Sequence, residues 1–444
     1  MSKRRRKKLA PEYAQATIES LSHDGRGVAH VDDKVVFIDG ALPEEKVEFL
    51  YTRKKRDFSE GYVTEVLSAS PDRVEPKCTH YEICGGCSFQ HLAPEKQIFA
   101  KQNILLEQFK QIAGLDKFEL WPALTGPFWG YRHRARLGVK NVPKKGRVLV
   151  GFREKRTPFI AELTECEVVH PAVGKKLLAL SDLIGQLSIS ARLPQIEVSI
   201  CDNSVALVFR ILDPLTEDDE KILADFEATS GLDVYLQSKG PDTIVPLTGP
   251  KELLSYQLPE DITLYFAPSD FVQVNVEINR KMIQRALDTL DLTEQDNVLD
   301  LFCGLGNFSL PMARKAGHVT AVEGSPELIE RAKINAEKNG VTNIDFYAAN
   351  LMDDVSNEPW AKKKYNKVLI DPPRTGAKEI LPLLAKISAQ QVLYVSCNPS
   401  TLARDAAILV NEMGYKMIKA GVMDMFPHTS HVESIALFEK SGKR

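Results

Sequence analysis

Val298-Leu299-Asp300-Leu301-Phe302-Cys303-Gly304-Leu305-Gly306-Asn307 is the stretch that decides the fold. An apolar run ends at two glycines one residue apart, which reads as a buried strand turning tightly into a helix. The rhythm continues downstream. Val319-Thr320-Ala321-Val322-Glu323, Ile344-Asp345-Phe346-Tyr347, Val368-Leu369-Ile370-Asp371 and Val392-Leu393-Tyr394-Val395-Ser396 are strand-like, with helical stretches between them. One of those helices has Ser325 as N-cap, Pro326 at its first position and Gly340 as its stop. Strands alternating with helices specify a parallel sheet covered on both faces, so residues 266–444 read as an α/β domain. Sheets of this kind bind ligands outside the carboxyl ends of their strands.

Polar residues gather at those ends. Glu323 closes the second strand, where a carboxylate can accept hydrogen bonds from both ribose hydroxyls of a nucleoside cofactor. The third glycine of a dinucleotide fingerprint is missing, with Phe308 and Ser309 where the helix begins, which disfavours NAD. S-adenosylmethionine carries no pyrophosphate and needs no full phosphate cradle. Asn350 and Asp371 extend the polar rim along the same edge. These spacings fit a class I (Rossmann-like) methyltransferase domain.

Two segments carry candidate chemistry. Asp371-Pro372-Pro373-Arg374 is similar to the Asp/Asn-Pro-Pro-aromatic tetrad of amino-group methyltransferases, which makes methylation of a base nitrogen a rival reading. The tetrad's last residue stacks on the target base, and here it is Arg374. Val395-Ser396-Cys397-Asn398-Pro399 points to carbon instead. Carbon 5 of uracil is too weak a nucleophile to attack a sulfonium methyl unaided. A thiolate adding at carbon 6 creates an enolate that can attack, and a base must then remove the carbon 5 proton. Cys397 ends a strand beside the rim, with Asn-Pro fixing the turn. Base candidates follow in Phe426-Pro427-His428-Thr429-Ser430-His431-Val432-Glu433, where His428, His431 and Glu433 cluster. Cys303, inside the glycine turn, reads as packing.

Upstream, residues 16–67 alternate as short strands with turns at Asp24-Gly25, Asp32-Asp33 and Asp39-Gly40, which predicts a small OB-like β-barrel over 10–68. Asp24-Gly25-Arg26-Gly27-Val28-Ala29 and Gly40-Ala41-Leu42-Pro43-Glu44-Glu45 resemble the TRAM domain, which implies RNA binding. Residues 94–113 read as an amphipathic helix, begun by Pro94 and stopped by Gly114, expected to pack on the catalytic domain. The rest of 75–265 reads as a central, mainly β domain with a helix or two.

The net charge of −3 conceals basic clusters in the N-terminal third: six of the first eight residues, Arg53 to Arg56, and many of residues 131–156. Such clustering favours a polyanion partner. Trp129-Gly130-Tyr131-Arg132-His133-Arg134-Ala135-Arg136 mixes aromatics with arginines, as single-stranded RNA recognition requires. No apolar run is long enough to span a bilayer, and the basic start lacks a secretory apolar stretch, so no membrane partner and a cytoplasmic location are expected.

Seven cysteines are too sparse for a disulfide framework. Cys78, Cys84 and Cys87 lie within ten residues, and with Cys166 they give four thiolates, enough for a [4Fe-4S] cluster or a tetrahedral zinc. Spacing does not choose between the two. A fourth ligand argues against radical chemistry at an open iron. A redox-responsive RNA-binding protein, with the cluster as its active part, is the rival from another class.

Gln273-Val274-Asn275, the Asp300–Asn307 stretch, Asp371-Pro372, Ser396-Cys397-Asn398-Pro399 and His431-Val432-Glu433 together resemble the RNA uracil-5 methyltransferase family over nearly the whole chain. The resemblance implies Cys397 as nucleophile and Glu433 as the proton-abstracting base. It implies cofactor contacts from Gln273, Phe302, Asn307, Glu323, Asn350 and Asp371. The branch that combines a TRAM barrel and four cysteines with this catalytic domain implies a structural [4Fe-4S] cluster. It also implies a 23S ribosomal RNA substrate whose target uridine is flipped into the site. A monomer without an obligate protein partner is expected.

Overall fold

The computed structural model describes residues 10–387 and 389–441; the basic run at the extreme N-terminus lies outside the described residues. Six strands, Tyr13–Thr17, Ser20–Leu21, Gly27–Val31, Lys34–Asp39, Lys46–Lys54 and Phe58–Ser68, form the first sheet. Its order is first, fifth, sixth, fourth, third, second. The alternation of the sequence sets which side chains turn inward: Val36, Ile38, Val47 and Phe49 are buried around Ala16, Ile18 and Ala29.

The second sheet runs in the order Ile244–Pro246, Asp233–Gln237, Val205–Arg210, Gln195–Ile200, Arg134–Val142, Arg147–Gly151. Helices Leu177–Gly185 and Glu217–Ser230 bury Leu180, Leu183, Ile184 and Leu223 in its core. The hairpin Leu254–Leu258 and Ile262–Phe266 shares one apolar cluster with Val208 and Tyr235 of this sheet and with Ile283 and Leu287 of helix Val276–Leu290. The core therefore runs without a break from the central region into the C-terminal one.

The third sheet has eight strands in the order Ile344–Ala348, His318–Glu323, Asn297–Leu301, Lys367–Ile370, Gln391–Ser396, Glu433–Lys440, Tyr415–Met423, Glu119–Leu120. The first five are mutually parallel, and Glu433–Lys440 runs antiparallel to both of its neighbours. Successive residues face opposite layers. Leu299, Val368, Ile370 and Val392 point into one apolar cluster, while Val298, Leu369 and Leu393 point into the other. Helix Pro94–Gln108, prolonged to Ala113 by a wider turn and stopped by Gly114 at φ 67°, buries Ile98, Ile104, Leu105 and Phe109 in the first of these layers. It thus packs on the catalytic sheet. The chain order reverses between Asn297–Leu301 and Lys367–Ile370, which places a ligand crevice at their carboxyl ends. Among the described residues no helix is long and apolar enough to cross a membrane.

Candidate active site

At the end of Asn297–Leu301 the chain turns through positive φ at Phe302 (67°), Gly304 (54°) and Gly306 (92°). The Phe302 and Cys303 amides both donate to the Val322 carbonyl, at 2.9 and 3.1 Å, which ties the turn to the neighbouring strand. Glu323 stands half-buried at that strand's end. One of its oxygens accepts from the Gly304 amide and the other from the Ser325 amide, each at 3.1 Å. A Cβ at Gly304 would meet nothing within 4 Å, so the turn leaves open space beside this carboxylate. That open turn with a fixed acid beside it fits the adenosyl part of S-adenosylmethionine.

Asn307 is held by a reciprocal amide pair with Asn279, at 2.9 and 3.0 Å. Asn350 is exposed and caps its own turn through the Met352 amide and Asp353. Gln273 and Asp371 are half-buried, and burial pushes the Asp371 carboxyl up to about 7. Cys303 is buried against Ala321 and Ile329 as a packing residue.

Cys397 follows the last residue of Gln391–Ser396, and Glu433 opens the antiparallel neighbour. Ser396 lies opposite Ser434, so Cys397 and Glu433 flank the last pair of this ladder, near enough for the Glu433 carboxylate to act on the thiol. The turn after Cys397 is firmly built. Ser396 Oγ accepts from the Asn398 amide, and Asn398 Oδ1 caps helix Pro399–Ala407 at the Ser400 amide, both at 3.1 Å. Asn398 Nδ2 donates to the Arg374 carbonyl at 3.1 Å, which binds the Asp371-Pro372-Pro373-Arg374 turn to the cysteine turn.

These groups share one electrostatic field. Burial pushes the Cys397 thiol up to about 11, and the Glu433 and Asp371 carboxylates add to the rise while Arg374 opposes it. Burial likewise pushes Glu433 up to about 8, with Asp371 adding to it and Arg374 and Lys101 opposing. The three candidate bases separate cleanly. His428 is buried, stacked on Trp129 with ring centroids 3.9 Å apart, and held down to about 4 by burial, so it is a neutral structural ring. His431 is exposed, with Nδ1 3.4 Å from Arg374. Of the three, Glu433 is the one whose charge acts on the Cys397 thiol.

Sequence reasoning missed Lys101, Gln97 and Asn279. A lysine on the apolar stripe of helix Pro94–Gln108, among Ile98, Ile104 and Leu105, was a readable sign that a buried counter-charge had to exist. The reading of Trp129–Arg136 as an RNA-contacting stretch needs correction. Tyr131 is buried with its hydroxyl donating to the Pro427 carbonyl, and Arg134 is consumed by Ser199 and the Pro268 and Asp270 carbonyls.

Cys78, Cys84, Cys87 and Cys166 all line one cavity of about 190 Å3, together with Tyr81, Arg132 and Phe152. Burial raises all four thiols, Cys84 to about 11 and Cys87 to about 12, and each thiolate would raise its neighbours. The Gly86 amide donates to Cys84 Sγ at 3.4 Å. Among the described residues no group of three or more His, Cys, Asp or Glu is drawn together to hold a metal ion.

Fold and rim define the class: an S-adenosylmethionine-dependent methyltransferase domain that follows a TRAM domain. The TRAM family model matches residues 12–64, and the model described as tRNA (Uracil-5-)-methyltransferase matches residues 251–441. A relative from Methylococcus capsulatus, the 23S rRNA (uracil(1939)-C(5))-methyltransferase RlmD, is 53% identical and aligns over 98% of this chain and 99% of its own. The protein of the same description from Alcanivorax borkumensis is 50% identical over 99% of this chain and 100% of its own. The crystal structure of the Pyrococcus abyssi tRNA (uracil-54, C5)-methyltransferase with S-adenosyl-L-homocysteine superposes with a TM-score of 0.73, at 23% identity, over 96% of this chain and 100% of that one. The chain belongs to the RNA uracil-5 methyltransferase family.

Proposed function

We propose that this protein transfers a methyl group from S-adenosylmethionine to carbon 5 of one uridine in 23S ribosomal RNA. The observation that supports the reading is the pairing of Ser396 with Ser434, which leaves Cys397 and Glu433 flanking the end of that ladder with the Glu433 carboxylate acting on the thiol. Gln273, Phe302, Asn307, Glu323, Asn350 and Asp371 line the donor side. Once bound there, S-adenosylmethionine supplies the electrophilic methyl. The Cys397 thiolate forms a bond to carbon 6 of the flipped uracil and drives the ring electrons toward carbon 5. After carbon 5 has taken the methyl, Glu433 accepts its proton, the ring double bond re-forms and the carbon–sulfur bond breaks. A carboxyl held near 8 suits that proton transfer at cellular pH. Arg374 is the cation placed to favour the thiolate.

The assignment to 23S rather than transfer RNA follows the relatives that align along the whole chain at about half identity. We further read the four cysteines as ligands of a structural [4Fe-4S] cluster. Four thiols lining one cavity of about 190 Å3 would hold a polynuclear group, which needs more room than a single zinc ion. RNA containing 5-fluorouridine at the target tests the mechanism. Wild type should form a covalent adduct stable to denaturation and Cys397→Ala none; absence of any adduct would favour nitrogen methylation. Loss of the 5-methyluridine from 23S RNA in a deletion strain tests the substrate.

A further inference from the structure

We propose that the four-cysteine loop is the positioning device for Glu433, through a clamp that Ser88, Phe89 and Gln97 close on His428. The proposal rests on the reading of Glu433 as the base.

The segment between strand Tyr415–Met423 and Glu433 contains no regular structure, so its course is set by outside contacts. The cysteine loop and the helix that follows it supply those around His428 and Ser430, beside hydrogen bonds to Leu124, Tyr131 and Asn275 at residues 424–427. The Ser88 and Phe89 amides both donate to the His428 carbonyl at 2.9 Å. Ser88 Oγ accepts from the Ser430 amide at 3.0 Å. Gln97 Oε1 accepts from the His428 amide at 2.7 Å, while its Nε2 donates to the Phe89 and Leu92 carbonyls at 3.0 and 2.9 Å. One buried amide side chain thus grips both the loop and the segment. His428 sits at φ 65°, a conformation a histidine holds only when its surroundings impose it, and its ring is pinned on Trp129.

The clamp leads straight back to the thiols. Ser88 is the residue after Cys87, its carbonyl accepts from Tyr81 at 2.7 Å, and Gln90 accepts from the Cys78 amide at 3.1 Å. Cys166 lies on a separate segment of the central region. A group bound by all four thiols would therefore fix the 78–90 loop from outside, and with it the 88–89 amides. The Cys397 turn is held by its own set of bonds, from Ser396, Asn398 and the Arg374 carbonyl, and meets the clamped segment where the Arg374 guanidinium lies 3.4 Å from His431. Loosening the clamp should leave addition at carbon 6 and methyl transfer intact. Removal of the carbon 5 proton should fail, so that the carbon–sulfur bond persists.

Two measurements on the full-length protein test this. Gln97→Met is to be mixed with substrate RNA and S-adenosylmethionine and resolved on denaturing gels, with iron content checked as unchanged. The methylated covalent adduct should accumulate, with its release slowed about ten-fold while methyl transfer is unaltered. Equal slowing of both steps, or of neither, overturns the proposal. Hydrogen exchange is then compared before and after the metal is stripped with ferricyanide and EDTA. Amides of residues 424–432 should exchange about ten-fold faster and those of 298–323 at the same rate. Unchanged exchange at 424–432, or an equal rise in both regions, overturns it. If wild type gives no 5-fluorouridine adduct, the mechanism above has failed, and the exchange data still judge the clamp.

Discussion

Lys101 Nζ lies 2.7 Å from Asp424 Oδ1, with both side chains sealed from solvent. The ammonium also donates to the Phe426 carbonyl at 2.9 Å, so a residue of the helix after the cysteine loop anchors the segment that delivers Glu433. Removing one partner strands the other as a buried charge, at a cost of about 3–5 kcal/mol. Lys101→Met should lower stability to urea by that amount, and Lys101→Met with Asp424→Leu should recover most of it. Lys101 also holds Glu433 down, so in the double variant the pH at which the rate rises should move upward. An unmoved profile would show that the ion pair acts on structure alone.

The pH dependence of the wild type follows from the same field. In the proposed mechanism Glu433 must be a carboxylate to take the proton, and Cys397 must be a thiolate to add. Both groups are held above their ordinary values, Glu433 to about 8 and Cys397 to about 11. Each needs to lose a proton, so the single-turnover rate should climb from pH 6 through 8 with no acid-side optimum. Asp371 raises both groups by its charge. Asp371→Asn should therefore shift the climb to lower pH at saturating RNA and donor. A shift to higher pH contradicts this assignment.

The fold was legible wherever the pattern was local. Strands Asn297–Leu301, His318–Glu323, Lys367–Ile370 and Gln391–Ser396 declare themselves as short apolar runs because both of their faces are buried, whereas edge strand Ile344–Ala348 is only half-buried. Strand Tyr415–Met423 is hidden by Lys416 and Lys419 and by a register shift between Met417 and Lys419. Glu119–Leu120 is too short to have a period. In the proposed site, the chemistry's need for a thiol and a base singled out Cys397 and three base candidates, and only the family resemblance chose Glu433 among them. The pairing of Lys101 with Asp424 spans 323 residues, and nothing in a linear pattern connects them. Tyr131 and Arg134 show the converse failure: residue types suited to RNA are spent on the protein's own carbonyls, and sequence does not reveal which face they occupy.

Glu323 is the residue whose loss should separate donor binding from RNA binding. Its carboxylate is oriented by the Gly304 and Ser325 amides toward open space beside the turn. Glu323→Ala removes the acceptor, and hydrogen bonds to a charged group are worth about 1.5–3 kcal/mol. Calorimetry should find S-adenosylmethionine bound about 10- to 100-fold more weakly. RNA affinity in a filter-binding assay should be unchanged; a parallel loss there means that Glu323 supports the fold instead.

Gly25 joins the barrel to the catalytic half. At φ 80°, a Cβ there would fall 2.4 Å from the Phe89 ring and 2.8 Å from Ser430 Cβ, and Phe89 is itself fully buried. No side chain fits without parting the two bodies. Gly25→Val should lower the melting temperature and weaken RNA binding, whereas the same change at exposed Gly185, where a Cβ meets nothing and φ is not positive, should do neither.

The cysteine cavity makes a prediction about metal. Thiols buried this deeply, with Cys84 and Cys87 held near 11 and 12, stay protonated at neutral pH unless a cation compensates the charge. Coordination by a metal deprotonates a thiol outright, so a bound cluster would reverse the cost of burying four sulfurs. Protein purified without oxygen should contain iron and acid-labile sulfide in equal amounts, about four of each per chain. Cys84→Ser should lose most of the iron and unfold at lower temperature, because the 78–90 loop then lacks its tie to Cys166. One zinc per chain with no sulfide would instead assign the four thiols to a tetrahedral site.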